Sequence, residues 1–384
     1  MPTPIYFDNA ATSWPKPPEV SGAVLRYLQD SGVAVGRGAT QRGAELQQTV
    51  DRCRLWASRL LNATSPRQVL FTFNGTDALN MALHGLLRHG DRVVTTDIEH
   101  NSVVRPLMTL QQRIGIEVTF VPPGPDGVVD PADVQAACDD RTRLVAVSHV
   151  SNVTGAIQPV EPIVATARSR GIHTLIDAAQ SAGHLPIDVQ SLGVDLVACS
   201  GHKGLQGPLG TGLLYIREGV EELVDSVRQG GTGTRSEEEL QPLSLPDKYE
   251  SGNHNAPGLV GLDAALAWIH SRGIAALREH EQQLTRQLLE GLTGIAGVKV
   301  HGPQTVEART GVVSLSIDDL APQDAAAVLD AHFGIECRAG LHCAPRMHRA
   351  LGTFDRGGTL RLSSGRFTTA DEIAVAVEAI RSLA

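Results

Sequence analysis

The sequence lacks paired cysteines, long hydrophobic runs and an N-terminal export signal. Its five cysteines, spread over 384 residues, form no C-x-x-C pair, which argues against a structural zinc site and against a disulfide framework. No apolar run reaches transmembrane length. The N-terminus has neither a basic segment nor an apolar core. These absences predict a cytoplasmic protein with reduced thiols.

An excess of positive charge is also missing. The formal net charge is -9 at pH 7, so a nucleic-acid surface is not predicted. A hydrophobic content of 42% and a charged content of 20% are typical of a globular protein. The length allows two domains, or one large domain with an appendage.

Short apolar strands alternate with helical segments between residues 69 and 216. This alternation predicts βαβ units and a largely parallel sheet covered by helices on both faces, hence an α/β fold. The last strand of this part, 213–216, also suits an antiparallel position. A polar loop is predicted for 229–255, and an α+β unit follows a helix at 274–292. Its predicted strands are 298–300, 312–317, 335–338 and 359–362, and its helices 322–331 and 369–383.

A lysine follows the predicted buried strand 194–199, at the end of Ser200-Gly201-His202-Lys203. A buried lysine is costly unless its charge is paired or removed. A covalent imine removes the charge, and lysine forms such bonds with pyridoxal 5'-phosphate (PLP). Taken alone, the segment suits a surface lysine better.

A carboxylate, Asp177, ends the neighbouring predicted strand 174–176. Ligands of open α/β sheets bind at the carboxyl ends of strands. An aspartate there can keep a pyridine nitrogen protonated, although a helix N-cap is the simpler interpretation. Asp177 precedes Lys203 by 203 − 177 = 26 residues, about one βαβ repeat, so neighbouring strands can direct both residues at one cofactor.

Three further strand ends carry suitable groups. The turn Phe73–Asp77 contains Gly75, which lets a ligand approach the backbone, and Thr76, which can cap the next helix and donate a hydroxyl to a phosphate. His100 is suited to stack on an aromatic ring and to move protons near neutral pH, and Asn152 to contact a ring hydroxyl. Each of these residues also has an ordinary loop interpretation.

The C-terminal unit places Cys343 in a loop beside Arg338 and His342. Positive charge near a thiol favours the reactive thiolate. Arg361 lies in an otherwise apolar strand and needs a partner, either a substrate carboxylate bound through two hydrogen bonds or a structural acid.

These segments together resemble the cysteine desulfurases and selenocysteine lyases, which are class V, fold-type I PLP enzymes. The resemblance covers nearly the whole chain. It implies a large PLP-binding domain, 15–270, with a mostly parallel seven-stranded sheet, and a smaller α+β domain, 1–14 and 271–384, that carries the cysteine loop. The matching motifs are Tyr6-Phe7-Asp8-Asn9-Ala10-Ala11-Thr12, Glu99-His100-Asn101, Ser151-Asn152-Val153-Thr154-Gly155, Asp177-Ala178-Ala179-Gln180, Ser200-Gly201-His202-Lys203 and Arg338-Ala339-Gly340-Leu341-His342-Cys343.

The resemblance implies conversion of L-cysteine to L-alanine, with the sulfur carried as a persulfide on Cys343, and selenocysteine as an alternative substrate. Lys203, Cys343 and His100 are the implied catalytic residues. Lys203 would bind PLP covalently and remove the α-proton, and Asp177 would pair with the pyridine nitrogen. The remaining implied contacts are Gln180 and Asn152 with the ring hydroxyl, Gly75, Thr76, Ser200 and His202 with the phosphate, and Arg361, Arg338 and Asn152 with the substrate.

The resemblance also implies partners. Two long polar loops, around Arg37 and around His254, predict a homodimer with sites at the subunit interface. Asn253 stands where relatives often have a threonine that reaches the partner's phosphate, which leaves that contact open. Leu341 stands where some relatives have a second histidine. The short cysteine loop resembles the type II subgroup, which implies a dedicated sulfur-acceptor protein and a role such as iron–sulfur cluster assembly.

The same residues also allow other functions. Another class V enzyme, such as a β-lyase, an epimerase or an aminotransferase, would share Lys203 and Asp177 but have no use for Cys343. A non-catalytic sulfur carrier would keep the fold without needing Lys203, Asp177 and His100 together. A nicotinamide enzyme is disfavoured because no G-x-G-x-x-G follows an early strand.

Overall fold

The computed structural model describes residues 4–36, 40–235 and 237–384. Arg37, one of the two centres of the predicted dimer loops, lies outside these ranges. The strands are β1 Ile5–Tyr6, β2 Val69–Thr72, β3 Arg92–Thr96, β4 Glu117–Val121, β5 Thr142–Ser148, β6 His173–Asp177, β7 Leu196–Ser200, β8 Gly212–Ile216, β9 Val298–His301, β10 Val312–Ile317, β11 Ile335–Glu336, β12 Arg338–Gly340 and β13 Thr359–Ser363. The α-helices are α1 Pro18–Arg26, α2 Gln41–Leu60, α3 Gly75–Leu86, α4 Asn101–Ile114, α5 Pro131–Ala137, α6 Val160–Ser169, α7 Val189–Leu192, α8 Ala256–Arg272, α9 Ile274–Leu292, α10 Pro322–Phe333, α11 Pro345–Ala350 and α12 Ala370–Leu383.

A seven-stranded sheet of order β2-β8-β7-β6-β5-β3-β4 forms the centre of the molecule. β3, β4, β5, β6 and β7 are parallel to one another, whereas β8 is antiparallel to both β2 and β7. The predicted α/β fold with a mostly parallel seven-stranded sheet is confirmed, as is an antiparallel last strand.

Both faces of this sheet are buried. On β5, Val145 and Val147 belong to the core on one face, where Val50 of α2 and Leu262 of α8 also pack. Leu144 and Ala146 point to the opposite core, which contains residues of α3 and α4. Strands covered on both sides are apolar at every position rather than at alternate ones, which is why the sequence shows them as continuous apolar runs.

A second, four-stranded antiparallel sheet of order β12-β13-β10-β9 packs on α9, α10 and α12. Separately, β1 pairs in parallel with β11, joining Ile5 to Ile335 and Tyr6 to Glu336. Phe7, which follows β1, is buried in the core of this C-terminal part. This pairing supports the proposed grouping of residues 1–14 with 271–384.

The prediction of a single strand at 335–338 is wrong. The chain instead forms β11 and β12, which are separated at Cys337 and pair with β1 and β13, respectively. A short helix that the sequence pattern did not indicate, α11, begins at Pro345. The loop that contains Cys343 therefore connects a strand to a helix.

None of the helices in the described ranges is both long enough and apolar enough to cross a membrane. Within the same ranges, histidine, cysteine, aspartate and glutamate side chains form no cluster that could hold a metal ion.

Candidate active site

The carboxyl ends of β3, β5, β6 and β7 meet at one edge of the large sheet, because these strands are neighbours and parallel. A cavity of about 310 Å³ opens there, which is the usual place for a ligand in an open α/β sheet. The residues proposed from the sequence that line it are Gly75, Thr76, His100, Asn152, Asp177, Gln180, Ser200, His202, Lys203, Arg338 and Arg361.

Asp177 and Lys203 lie on the two central strand ends. Asp177 is paired in register with Ala198 of β7, and its Oδ1 accepts a hydrogen bond from Ala179 N–H at 2.9 Å. Burial raises the pKa of Asp177, while that N–H and the charge of Lys203 oppose the shift. Burial likewise lowers the pKa of Lys203 to about 8. The cavity therefore holds one buried carboxylate and one lysine that loses its proton readily.

The turn from β2 into α3 forms an anion cradle. The N-cap is Asn74, whose side chain accepts from Asp77 N–H at 2.9 Å, so the prediction that Thr76 caps the helix is wrong. Thr76 Oγ1 instead lies 2.7 Å from Ser102 Oγ. A Cβ on Gly75 would lie 2.5 Å from Ser200 Oγ, so only glycine leaves this space open. Hydroxyls at a helix N-terminus suit a phosphate.

His202 supplies a further group to this end of the cavity. Its Nδ1 is buried and has no hydrogen-bond partner among the described residues. Burial, together with the charges of Lys203 and Lys16, lowers the pKa of His202 to about 4. A buried polar atom without a protein partner indicates a missing ligand group, and a phosphate oxygen would satisfy it.

His100 caps α4 with its own ring. Its Nδ1 accepts from Ser102 N–H at 3.0 Å and lies 2.8 Å from Ser102 Oγ, so the ring proton resides on Nε2. Burial, followed by the charges of Lys203 and nearby arginines, lowers the pKa of His100 to about 4. This lowered pKa disfavours proton exchange by His100 near neutral pH, and the proton-transfer role of His100 stays a prediction. A neutral ring at the cavity wall remains suited to stacking, and Ser102, which holds it, was missed by the sequence analysis.

Asn152 and Gln180 are already engaged through their amide nitrogens. Asn152 donates to the carbonyl of His342 at 2.6 Å, and Gln180 donates to the carbonyl of Ala10 at 2.9 Å. Each amide keeps its oxygen as an acceptor. Both side chains therefore suit a donor such as a ring hydroxyl, as the resemblance implied.

Arg361 is 1% exposed and has a structural acid as a partner. Its Nη2 donates to Asp8 Oδ1 at 2.6 Å and its Nη1 to the carbonyl of Asn152 at 3.0 Å. The third guanidinium nitrogen, Nε, is buried without a partner in the described part of the chain. The alternative prediction, that Arg361 pairs with a structural acid, is therefore correct for Nη2. Asp8 belongs to a motif of the family resemblance, but its contact with Arg361 was not predicted. Nothing local in the sequence reveals a contact across 353 residues.

Cys343 lies in the loop between β12 and α11 and is exposed. Its carbonyl accepts from Asn101 N–H at 2.8 Å, which fixes the loop to the start of α4. His342 and Cys343 have φ angles of 47° and 58°, a left-handed backbone that costs energy for non-glycine residues and is frequent at functional sites. The sulfur lies 3.8 Å from Nη2 of Arg338.

His342 contributes no charge to this loop. Its ring is buried, with Nε2 3.1 Å from both the carbonyl and the hydroxyl of Thr359. Burial, then the charges of Arg361 and other neighbours, lowers the pKa of His342 to about 2. The expectation of two cations beside Cys343 is wrong for His342, and the positive charge near the thiol comes from Arg338, with Arg361 and Lys203 also interacting with it.

The other four cysteines differ from Cys343 in exposure. Cys53 and Cys199 are buried, and Cys138 and Cys337 are partly buried. Burial raises the pKa of all four thiols, that of Cys337 to about 12. Cys343 is thus the exposed thiol of this chain.

Known proteins resemble this chain over most of its length. The family model described as aminotransferase class-V matches residues 5–375. A probable cysteine desulfurase of Methanothermobacter thermautotrophicus is 36% identical over 384 residues, covering 99% of this chain and 94% of the relative. A cysteine desulfurase of Yersinia pseudotuberculosis is 33% identical over 347 residues, covering 88% of this chain and 84% of the relative.

Solved structures of cysteine desulfurases are also similar to this chain. The apo structure of a cysteine desulfurase from Thermococcus onnurineus has a TM-score of 0.92 and 32% identity, with 99% of this chain and 94% of that chain covered. An Escherichia coli cysteine desulfurase has a TM-score of 0.88 and 27% identity, also with 99% and 94% covered.

Proposed function

The chain belongs to the aminotransferase class-V family, and we propose that it is a PLP-dependent cysteine desulfurase, which converts L-cysteine to L-alanine and carries the sulfur on Cys343. The observation that supports this function best is the exposed Cys343 with Arg338 at 3.8 Å, on a loop bonded to the turn that presents His100. Other reactions of the family have no need for a thiol at this place.

The residues of the cavity fit PLP. Gly75, Thr76, Ser200 and His202 form the cradle for its phosphate, and Asn152 and Gln180 offer amide oxygens to its ring hydroxyl. When bound, PLP supplies a protonated pyridine ring that stabilises negative charge on the substrate α-carbon. Asp177 holds the pyridine proton, and neutral His100 covers one face of the ring.

The catalytic steps fall to Lys203 and Cys343. Lys203 would hold the cofactor covalently, and its Nζ would take the α-proton of the substrate, for which a pKa of about 8 is well suited. The Cys343 thiolate then attacks the substrate sulfur. An S–S bond forms and the substrate Cβ–S bond breaks, which leaves a persulfide on Cys343. Alanine is released after Cβ is protonated and Lys203 returns the proton to the α-carbon. Arg361 and Arg338 hold the substrate carboxylate.

Product analysis tests this function. The purified protein, incubated with L-cysteine, is expected to yield alanine, and mass spectrometry is expected to find one additional sulfur on Cys343. Cys138→Ala is the matched control because Cys138 is partly buried at the end of α5. Pyruvate and ammonia instead of alanine would indicate a β-lyase, and an additional sulfur on Cys337 would contradict the assignment of Cys343.

A homodimer is part of the proposal. Four apolar side chains are exposed near the loop 229–255 and the cavity mouth: Phe73, Leu209, Leu240 and Leu243, at 50%, 67%, 83% and 79% exposure. Leu209 also lines the cavity. A second copy of the chain would cover this surface and complete the wall of the site near His254 and Asn253. Light scattering tests it, and a monomer with full activity would contradict it.

The sulfur acceptor, the alternative substrate and the cellular location complete the proposal. Cys343 is exposed on a short loop, which supports delivery of the persulfide to an acceptor protein, in a process such as iron–sulfur cluster assembly. Selenium leaves carbon more readily than sulfur does, which supports selenocysteine as a second substrate. The five free cysteines support a reducing compartment, the cytoplasm.

A further inference from the structure

The backbone carbonyl of His202 is surrounded by hydrogen-bond donors from the N-terminal segment. The donors are Ser13 N–H at 3.0 Å, the hydroxyls of Ser13 and Thr12 at 3.1 and 3.2 Å, and the ammonium of Lys16 at 2.8 Å. A carbonyl oxygen has only two lone pairs. This carbonyl belongs to the peptide bond that leads into Lys203, so the segment 12–16 converges on the backbone of the cofactor-binding lysine.

Lys16 is the one charged member of this group. Its Nζ also donates to Ser13 Oγ at 2.7 Å. No ion pair within residues 4–36, 40–235 and 237–384 includes Lys16, and burial lowers the pKa of Lys16 to about 8. Lys16 is half-buried, and partial burial of an ammonium without a carboxylate partner costs folding free energy. General packing does not explain a lysine that is held in this way.

Other hydrogen bonds of the loop that contains Lys203 do not involve the carbonyl of His202. Gly201 N–H donates to the carbonyl of Thr211 at 2.9 Å, and the carbonyl of Gly201 accepts from Gly207 N–H at 2.7 Å. Both bonds fix the peptide units before His202. The next peptide unit, between His202 and Lys203, is fixed through the donors described above.

We propose that Lys16 is a positioning residue for Lys203: its ammonium holds the peptide between His202 and Lys203, so that Lys203 Nζ keeps its direction while it is released from the cofactor and bonded again. A lysine side chain is a flexible four-carbon stem, so its base must be held where its tip has to act within hydrogen-bonding reach. The inference rests on the proposed function of Lys203.

Three variants test the inference. Lys16→Met removes the charge and keeps the length, Lys16→Arg keeps a charged donor, and Lys299→Met is the control because Lys299 is exposed on β9. Lys16→Met is expected to lower kcat for cysteine by about tenfold to a hundredfold, the scale of a small misplacement of a reacting group, with KM and cofactor content unchanged. Lys16→Arg is expected to keep most of kcat, and Lys299→Met all of it. A lysine that only stabilises the fold would lower Tm and leave kcat unchanged.

Hydrogen exchange gives a second readout that does not depend on turnover. In cofactor-free protein, amides of residues 201–207 are expected to exchange faster in Lys16→Met than in wild type or Lys299→Met. If wild type does not desulfurate cysteine, the proposed function fails while this readout still tests the role of Lys16. Unchanged exchange, or unchanged kcat, in Lys16→Met overturns the inference. If that variant does not fold, Ser13→Ala removes the shared hydroxyl and is expected to give the same pattern at smaller amplitude, and a wild-type pattern there overturns the inference.

Discussion

Arg338 and Arg361 lie directly opposite each other on the paired strands β12 and β13. Opposite residues of an antiparallel pair share a face, and like charges placed so are destabilising. Asp8 compensates one of the two, through its hydrogen bond with Arg361 at 2.6 Å. Both guanidinium groups line the cavity, so a bound carboxylate would relieve the remaining repulsion.

The first prediction concerns substrate binding. Arg361→Ala should raise KM for cysteine more than tenfold and leave PLP binding nearly unchanged, because a lost charge-assisted hydrogen bond costs about 1.5–3 kcal/mol. Steady-state kinetics and cofactor titration measure the two effects. Arg349→Ala, on α11 and outside the cavity lining, is the control. An unchanged KM would make Arg361 a purely structural partner of Asp8.

Cys343 allows the sulfur and selenium reactions to be separated. Cys343→Ala should fold, bind PLP and lose most cysteine desulfuration, because the sulfur acceptor is gone. It should keep substantial selenocysteine cleavage, because selenium needs less help to leave. Parallel assays with both substrates, beside Cys138→Ala, measure the difference. Normal cysteine desulfuration by Cys343→Ala would refute the mechanism.

Lys203 should carry the cofactor covalently. The wild-type protein is expected to be yellow and to keep the cofactor on Lys203 after borohydride treatment, as peptide mass spectrometry would detect. Lys203→Ala should hold PLP without a covalent bond and lose nearly all turnover. A borohydride-stable adduct in this variant would place the attachment elsewhere.

Gly75 tests the phosphate cradle. An alanine Cβ there would lie 2.5 Å from Ser200 Oγ, closer than atoms can approach, so Ser200 would have to move. Gly75→Ala should weaken the affinity for PLP and for inorganic phosphate together, as measured by calorimetry. Gly22→Ala controls for loss of a glycine, because Gly22 lies in α1 and a Cβ there would meet only Arg26 Nη1, the end of a flexible side chain, at 3.3 Å. Equal phosphate affinity in Gly75→Ala and wild type would exclude this cradle.

Lys203 also predicts a pH dependence of stability in the cofactor-free protein. Its pKa is about 8 when folded and 10.5 as a free side chain, so between these values the unfolded chain binds more protons. The free energy of unfolding therefore rises with pH across this window. Lys203→Met should lose up to about 1.4 kcal/mol per pH unit of that slope. Urea unfolding at pH 8, 9 and 10 measures it, and identical slopes would contradict the buried lysine.

The sequence predicted the elements whose signals are local. Helix α9 has the predicted bounds, 274–292, and the strand ends that bear Asp177 and Lys203 are neighbours as expected. Pairing between distant segments could not be predicted: β11 and β12 look like one strand until β1 and β13 bind them separately. The charge states of buried side chains could not be predicted from the sequence either. Burial and nearby positive charges lower the pKa of both His100 and His342, an effect that no sequence motif records.

β1 pairs with β11, and Asp8 pairs with Arg361, which lies 353 residues away. These contacts determine the order in which parts of the enzyme form during synthesis. A growing chain exposes its first residues long before β11 and β13 are synthesised. During translation the large sheet can form early, whereas Asp8 has no partner until the end. Contacts of such sequence separation form late and slowly. If Arg361 binds the substrate and Lys203 the cofactor, as proposed, substrate recognition is completed only when the chain is nearly finished, and a prematurely released fragment would carry the cofactor lysine without the substrate-binding arginine.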